Sequence, residues 1–564
     1  MMEWIEDQLN GGRLGSNNTT FDYIIIGAGS SGCVLANRLS ADPSIRVCLL
    51  EAGPADTSLM IKVPIGIIGL VRSKKLNWRF HTEPQQRLNH RPIFWPRGRT
   101  LGGSSAINAM IYTRGHASDY DEWAELGNAG WAWQDVLPYF KKAQNQERGE
   151  NEFHGVGGPL NVTEVVTPNK LSEVFINAGL EVGYAYNDDF NGAEQEGIGM
   201  YQLTQKDGQR FSAADAYLHP IKDRSNLTVI TEAHASNIYT EGKTAKGVTF
   251  IRRNKPYYIQ ATGEVILSGG AINSPQLLLL SGIGPKEELS KHGIHQVHEL
   301  PGVGKNLQDH LDTIVVHRCK KDVSMGVTPK FLLMGLKSLW DFVKHKKGPL
   351  TSNVAEAGGF VKSDPSKSKP DLQFHLSPVI LDDNGRNIFW GAGYSLHACD
   401  LRPLSRGYIG LYSSDPLAPP KIEPNYIEHS EDLDILVKTV KICRQLLAAT
   451  AFDEYRGEEI FPGIAVQSDD DIREFVREKA ATIYHPVGTC KMGTDKLAVV
   501  DPKLKVRGMK NLRVVDASIM PTLIGGNTNA PAIMIAEKAA DMILEERQIK
   551  NKSSKAKKAK EFEN

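Results

Sequence analysis

At 564 residues the chain is too long for one ordinary hydrophobic core, which predicts at least two domains. Its 66 basic and 66 acidic side chains cancel, so no net field draws it to nucleic acid, and neither zinc-finger spacing nor an RNA-binding motif is present. Cys33, Cys48, Cys319, Cys399, Cys443 and Cys490 are far apart with no CxxC, which reads as reduced, mostly buried thiols of a cytoplasmic protein.

Residues 1–20 are polar, carry Glu3, Glu6 and Asp7, and lack the apolar run of a signal peptide; they read as a flexible extension. The informative stretch starts at Phe21. Asp22 to Ile26 is a short apolar, β-branched run suited to a strand buried on both faces. It leads into Gly27-Ala28-Gly29-Ser30-Ser31-Gly32, after which Cys33 to Leu39 has helical spacing and Arg46 to Leu50 forms a second strand closing on Glu51 and Ala52. This is the β-α-β unit that seats a dinucleotide pyrophosphate on a helix N-terminus. Gly27 serves the turn, Gly29 the approach of backbone amides to phosphate, and Gly32 the close packing of helix on strand. Glu51, nineteen residues past Gly32, is placed to accept hydrogen bonds from ribose hydroxyls, and its carboxylate disfavours the 2′-phosphate of NADP.

The longest apolar run, Leu59–Val71, is too short to span a membrane and is broken by Lys62 and Pro64. It reads as a buried or lid segment that would suit apolar substrates. Next, Arg97 to Met110 brings Gly98, Gly102, Gly103, Ser104 and Ser105 ahead of an apolar stretch, a second place where backbone amides could cradle an electron-rich group. Residues 227–268 alternate strand and turn signals and continue the nucleotide domain. Residues 161–221 and 315–482 carry no nucleotide motif and are assigned to a second domain, with strands at Asp371–Ser377 and Tyr394–Ala398. Six lysines between 550 and 560 read as a solvated flexible tail, or as a means of peripheral attachment to an anionic membrane.

Taken together, the fingerprint, RGRTLGGSSAIN (97–108), GAINSPQLLLLSGIG (270–284), ATIYHPVGTCKMG (481–493), NLRVVDASIMP (511–521) and GGNTNAPAIMIAEKAAD (525–541) resemble the glucose–methanol–choline flavin oxidoreductases, in the family's order, across about residues 21–545. Within that family the chain looks most like the branches that oxidise choline and aliphatic alkanols. The resemblance implies an α/β fold: a discontinuous Rossmann-like FAD-binding domain (21–160, 222–314 and 483–548) interleaved with an α+β substrate domain on an antiparallel sheet (161–221 and 315–482), with tails at 1–20 and 549–564. It implies FAD held by Gly27, Gly29, Ser30, Ser31, Gly32, Glu51, Ala52, Arg99, Gly102, Gly103, Ser104, Asn108, Ala109, Met110, Ile111, Ala235, Asp516, Ala517, Asn527 and Thr528. Some members tether the flavin through a His where this chain has Ile107, so FAD is expected to be non-covalent.

The resemblance also implies the chemistry. Oxidising an alcohol removes a proton from oxygen and a hydride from carbon; flavin N5 takes the hydride, and the protein supplies a base and a group that holds the oxygen. His485 matches the family's catalytic His, and Asn529 is assigned as its partner, donating to the developing alkoxide. His310 reads as a structural residue packed near the flavin, and Cys399 and Arg402 as lining the substrate domain. No metal-ligand spacing and no GxSxG nucleophile motif is present, so no metal is expected. The expected activity is oxidation of a primary aliphatic or aryl alcohol, with electrons passed to a quinone or other carrier. Alternatives are an oxidase using oxygen, a choline dehydrogenase, and, against the intact His–Asn pair, a flavin lyase such as a photodecarboxylase or a non-catalytic flavin-binding protein. A cytoplasmic location, with peripheral membrane contact through the lysine tail, completes the expectation.

Overall fold

The β-branched run at the start of the chain forms the strand Thr20–Ile26, and its residues from Tyr23 onward are almost wholly buried with Val47–Leu50 beside them. Burial on both faces is what a parallel sheet covered by helices requires. The structure is a computed structural model that describes residues 20–562 other than 327, 329–334 and 388, so the expected N-terminal extension lies outside the described residues but for Thr20. In the first sheet Leu227–Ile230, Val47–Leu50, Thr20–Ile26, the end of Lys255–Leu267 and Leu512–Val514 run parallel in that order. The start of Lys255–Leu267 instead pairs antiparallel with Thr244–Arg252, which pairs with His234–Glu241. One long strand therefore serves both the nucleotide-type sheet and its antiparallel flank.

The helix Ser30–Leu39 connects the first two strands and packs against the C-terminal helix, Asn529–Phe562. The contact is locked by Arg38, whose Nε and Nη2 donate to the fully buried Glu537 at 2.8 and 2.7 Å, and by the Tyr217 hydroxyl, which donates to Glu537 at 2.9 Å. From 549, where the sequence placed a flexible tail, the backbone stays helical to Phe562 through a stretch rich in lysine and alanine, both strong helix formers.

The second sheet is antiparallel, in the order Arg456–Phe461, Leu311–Cys319, Gly393–Asp400, Leu372–Ser377, Ala357–Val361 and Gly197–Met200, with Ala481–Thr482 on the end of Leu311–Cys319. The two strands expected near 371–377 and 394–398 are adjacent in it. The helix Ser430–Ala448 covers this sheet through Leu436, Val440, Cys443 and Leu447.

Two domain boundaries shift. Residues 213–221, assigned from sequence to the substrate domain, pack in the core of the first sheet, since the Asn37 side chain donates to the Tyr217 carbonyl at 2.7 Å and Tyr217 reaches Glu537. Conversely, Phe80, Leu88, Ile93 and Trp95 join the core of the antiparallel sheet. Apolar content alone could not tell which of two cores a short connecting segment would enter. Five of the six cysteines are buried, all six are unpaired, and among the described residues no helix is long and apolar enough to cross a membrane.

Candidate active site

A cavity of about 290 Å³ opens at the ends of the first sheet's strands, at Ile26, Leu50 and Leu267, and the fingerprint and His485 both line it. At one end Gly27, Gly29, Ser30 and Ser31 open onto it where the first helix begins. Nothing stands within 4 Å of where a Gly29 side chain would project, leaving space at that helix N-terminus for an anion. A Cβ on Gly32 would sit 1.9 Å from the Gly27 carbonyl oxygen, and one on Gly103 2.6 Å from the Gly29 Cα. Both glycines thus permit close backbone approach, and the second brings the 97–110 loop onto the fingerprint. Glu51 accepts from the backbone amides of Ala28 at 3.0 Å and Gly53 at 2.8 Å. Burial raises its pKa to about 7 despite those two bonds, and its oxygens retain lone pairs for ribose hydroxyls.

Asp516 stands across the cavity at the start of the helix Gly270–Leu280. It accepts from the Gly270 amide at 2.9 Å and the Ser274 hydroxyl at 2.6 Å. Ala52, Ser104, Asn108, Ala109, Met110, Ile111, Ala235, Ala517, Asn527 and Thr528 also line the cavity. Three expected contacts do not. Gly32 and Gly102 shape the backbone behind the cavity, the Gly102 amide donating to the Ala28 carbonyl at 2.8 Å, and the Arg99 guanidinium lies over the Trp78 ring, 4.8 Å from its centre. Sequence reasoning missed His234, Trp78 and the loop Ser268–Asn273, all of which line the cavity. Only the last carried a signal, the quoted GAIN motif. Ile107, buried, presents a hydrocarbon side chain at the expected tether position.

At the other end stands His485. Its backbone is fixed by the Asp309 carboxylate, which accepts from the His485 amide at 2.8 Å and from the Tyr426 and Thr482 hydroxyls. Tyr484, just before it, has φ +77°, a left-handed conformation costly for a bulky residue. It is held there by the Thr482 hydroxyl, which accepts from its amide at 2.7 Å, and by Arg97, which donates to its carbonyl at 2.6 Å. The ring nitrogens have definite partners. Asn527 Oδ1 accepts from Thr113 Oγ1 at 3.1 Å and Gln373 Nε2 at 3.0 Å, which turns its amide nitrogen toward His485 Nε2 at 3.0 Å. Nε2 is therefore the acceptor and Nδ1 carries the proton, facing His310 Nδ1 at 3.0 Å. Burial first, then the nearby His310, His375 and Arg97, hold His485 well below the usual imidazole pKa, so the ring is neutral.

One assignment changes. Asn529, expected to pair with His485, instead accepts a 2.7 Å hydrogen bond from Ser30 Oγ at the first turn of the last helix; Asn527 is the residue that meets the histidine. His310, read as structural, contacts the catalytic candidate directly.

The Leu59–Val71 segment forms two short helices around Pro64–Gly66, and Ile67 and Val71 line the cavity, as a lid would. Its Lys62 pairs with Asp215 and lies 4.0 Å from Asp56. His219 bridges both carboxylates, at 3.1 Å to Asp56 and 3.2 Å to Asp215. Asp56, Asp215 and His219 bring potential metal-ligand atoms within 4.8 Å of one another, but Lys62 and a protonated His219 already balance the two acids.

Comparison with known proteins decides the family. Two family descriptions, both of GMC oxidoreductases, match residues 21–312 and 403–536. The chain belongs to the GMC oxidoreductases. It is 54% identical over 527 residues to the alcohol dehydrogenase [acceptor] of Pseudomonas putida, covering 93% of this chain and 96% of that one. It is 45% identical to human mitochondrial choline dehydrogenase, over 93% and 89% of the two chains. Among solved structures, pyridoxine 4-oxidase from Mesorbium loti superposes with a TM-score of 0.84 at 31% identity, covering 92% of this chain and 98% of that one. Members of this GMC family bind FAD, and the cradle described above fits that group: an open helix N-terminus for the pyrophosphate, Glu51 for ribose, and Asp516 with the 97–110 loop along the middle.

Proposed function

We propose that the protein is an FAD-dependent dehydrogenase that oxidises an uncharged primary alcohol, aliphatic or aryl, to the aldehyde and passes electrons to an acceptor such as a quinone. The observation that carries this reading is the unprotonated Nε2 of His485, held toward the cavity beside the Asn527 amide. On alcohol binding the Asn527 amide would turn from Nε2 to the substrate oxygen, donating to it as charge develops and freeing the Nε2 lone pair to take the hydroxyl proton. Bound FAD supplies the hydride acceptor. Gly29–Ser31, Glu51, Asp516 and the 97–110 loop would hold it, and the hydrocarbon of Ile107 leaves it no protein tether, so binding is non-covalent.

The choice of an uncharged alcohol is supported by the lining. Among the described residues, Glu51 and Asp516 are the only carboxylates on the cavity wall, and each is engaged by backbone amides. A quaternary ammonium substrate would favour a free carboxylate or an aromatic cage near His485. The use of a non-oxygen acceptor follows the name of the Pseudomonas putida relative. The lysine-rich end of the last helix supports peripheral membrane contact as a further part of this reading.

The test is anaerobic reduction of the bound flavin by a panel of n-alkanols, aryl alcohols and choline, followed by reoxidation with quinone, dye or oxygen. Fast reduction by uncharged primary alcohols and reoxidation by quinone are expected. Reduction by choline alone, or preferential reoxidation by oxygen, would replace this reading with choline dehydrogenase or oxidase.

A further inference from the structure

We propose that the helix Gly335–His345, together with the exposed edge of the lid segment, is a docking face for an anionic lipid bilayer. The helix reads GLKSLWDFVKH. It buries Ser338 and Phe342 against the protein and turns Leu339, Trp340 and Val343 outward, 50%, 58% and 61% exposed. These three share one side of the helix by their spacing. On the lid, Leu59 and Met60 are 79% and 44% exposed.

The two elements are neighbours. Pro64–Gly66 of the lid packs against Pro349–Thr351, which packs against the helix, and the Gln205–Arg210 hairpin bridges Leu59–Lys62 to the Lys346 carbonyl through Gly208. The same segment that offers Leu59 and Met60 outward contributes Ile67 and Val71 to the cavity wall.

Charge selects the partner. Between 335 and 347, Lys337, Lys344, Lys346 and Lys347 face a single acid, Asp341, and the lid is followed by exposed Arg72, Lys74 and Lys75 with no acid from 59 to 75. In a chain of net charge zero this is a local positive excess around apolar side chains. A protein partner would be met by an apolar patch with mixed charge at its rim. Apolar side chains and a tryptophan set among lysines are instead what an interfacial helix presents to acidic headgroups, apolar groups entering the acyl boundary while lysines stay at the phosphates. The Lys344 ammonium, lying 4.7 Å from the centre of the Trp340 ring, shows the two chemistries on one surface.

The experiment is cosedimentation of the FAD-loaded protein with vesicles of phosphatidylcholine alone and of phosphatidylcholine mixed with phosphatidylglycerol. It needs no turnover, so its outcome is separate from that of the proposed activity. The protein is expected to pellet with the anionic vesicles and to be released by high salt. A Leu339→Ser, Trp340→Ser, Val343→Ser variant should partition roughly tenfold less while keeping its flavin content and melting temperature, because the replaced side chains are already in water. A second variant, with the six lysines between 550 and 560 changed to glutamine, should still bind. Three results would overturn the proposal. These are no binding by the wild type, loss of binding only in the tail variant, or a wild-type dimer that the helix variant dissociates without change in vesicle binding, which would make the face a contact between two copies.

Discussion

His485 carries no carboxylate on its ring; its two nitrogens meet His310 and Asn527, and its pKa is held far down by burial. The rate of flavin reduction should therefore stay flat as pH falls from 8 through the ordinary imidazole range near 6.5 and drop only below it. Stopped-flow reduction across pH measures this, and a limb centred near 6.5 would show that the ring is more exposed than its surroundings indicate. His485→Ala should bind FAD yet reduce it at least about 10²-fold more slowly, the range for a lost general base. The two asparagines separate by phenotype. Asn527→Ala should slow reduction with FAD affinity kept, whereas Asn529→Ala, which removes the partner of Ser30 beside the fingerprint, should act first on FAD affinity. Equal effects of both on the reduction rate would return the catalytic role to Asn529. Glu51 titrates at about 7, and its ionised form is the better acceptor for ribose hydroxyls, so FAD affinity should fall as pH drops below about 7. Titration of the apoprotein with FAD checks this, with Glu51→Gln expected to lack the dependence. At this scale the sequence was legible in kind but not in register. Asn527-Thr528-Asn529 offers two identical amides, and only the start of a helix at Asn529 decides that 529 points to Ser30 and 527 to the histidine.

Among the elements, the lid is the one whose anchorage has a pH signature. Burial alone would lower the pKa of His219, but hydrogen bonds to Asp215 and Asp56 outweigh it and push it up to about 9. A histidine raised above its unfolded value of about 6.5 contributes stability that is complete below that value and lost as pH rises through about 9. The shift corresponds to roughly 3 kcal/mol, and the part of the Asp215 depression that comes from His219 is the same interaction seen from its partner, so the two do not add. The melting temperature should therefore decline between pH 7 and 9.5, and His219→Gln should flatten that decline; an unchanged slope would show that the cluster stays intact when neutral. The fingerprint strand, helix and second strand were readable because period, glycine spacing and a terminal acid all agree there. The lid cluster was not, since Asp56, Lys62, Asp215 and His219 come from segments with no shared motif, and only folding brings them together.

At the scale of the molecule, both sheets had sequence signals, but the division of the chain between them did not. Residues 80–95 and 213–221 are short connectors whose scattered apolar side chains either core could have taken. Because the cavity is walled by the fingerprint, the 97–110 loop, the 268–273 loop and residues 483–486 and 516–529, FAD should act as a clamp on the whole fold. Saturating FAD should raise the melting temperature, by about 2.7 kcal/mol of added stability at a hundredfold excess over Kd. Acid or heat precipitation should leave free FAD in solution, and colour retained by the pellet would contradict a non-covalent flavin. The bond between Ser30 and Asn529 has a further meaning for biosynthesis. The first β-α-β unit leaves the ribosome well before the helix that covers Ser30–Leu39 and takes Arg38 onto Glu537, since Ser30 and Asn529 are 499 residues apart. Until that helix is made the nascent chain carries the nucleotide motif with one side uncovered, and a chain stopped before Asn529 has the whole fingerprint without the helix that covers it.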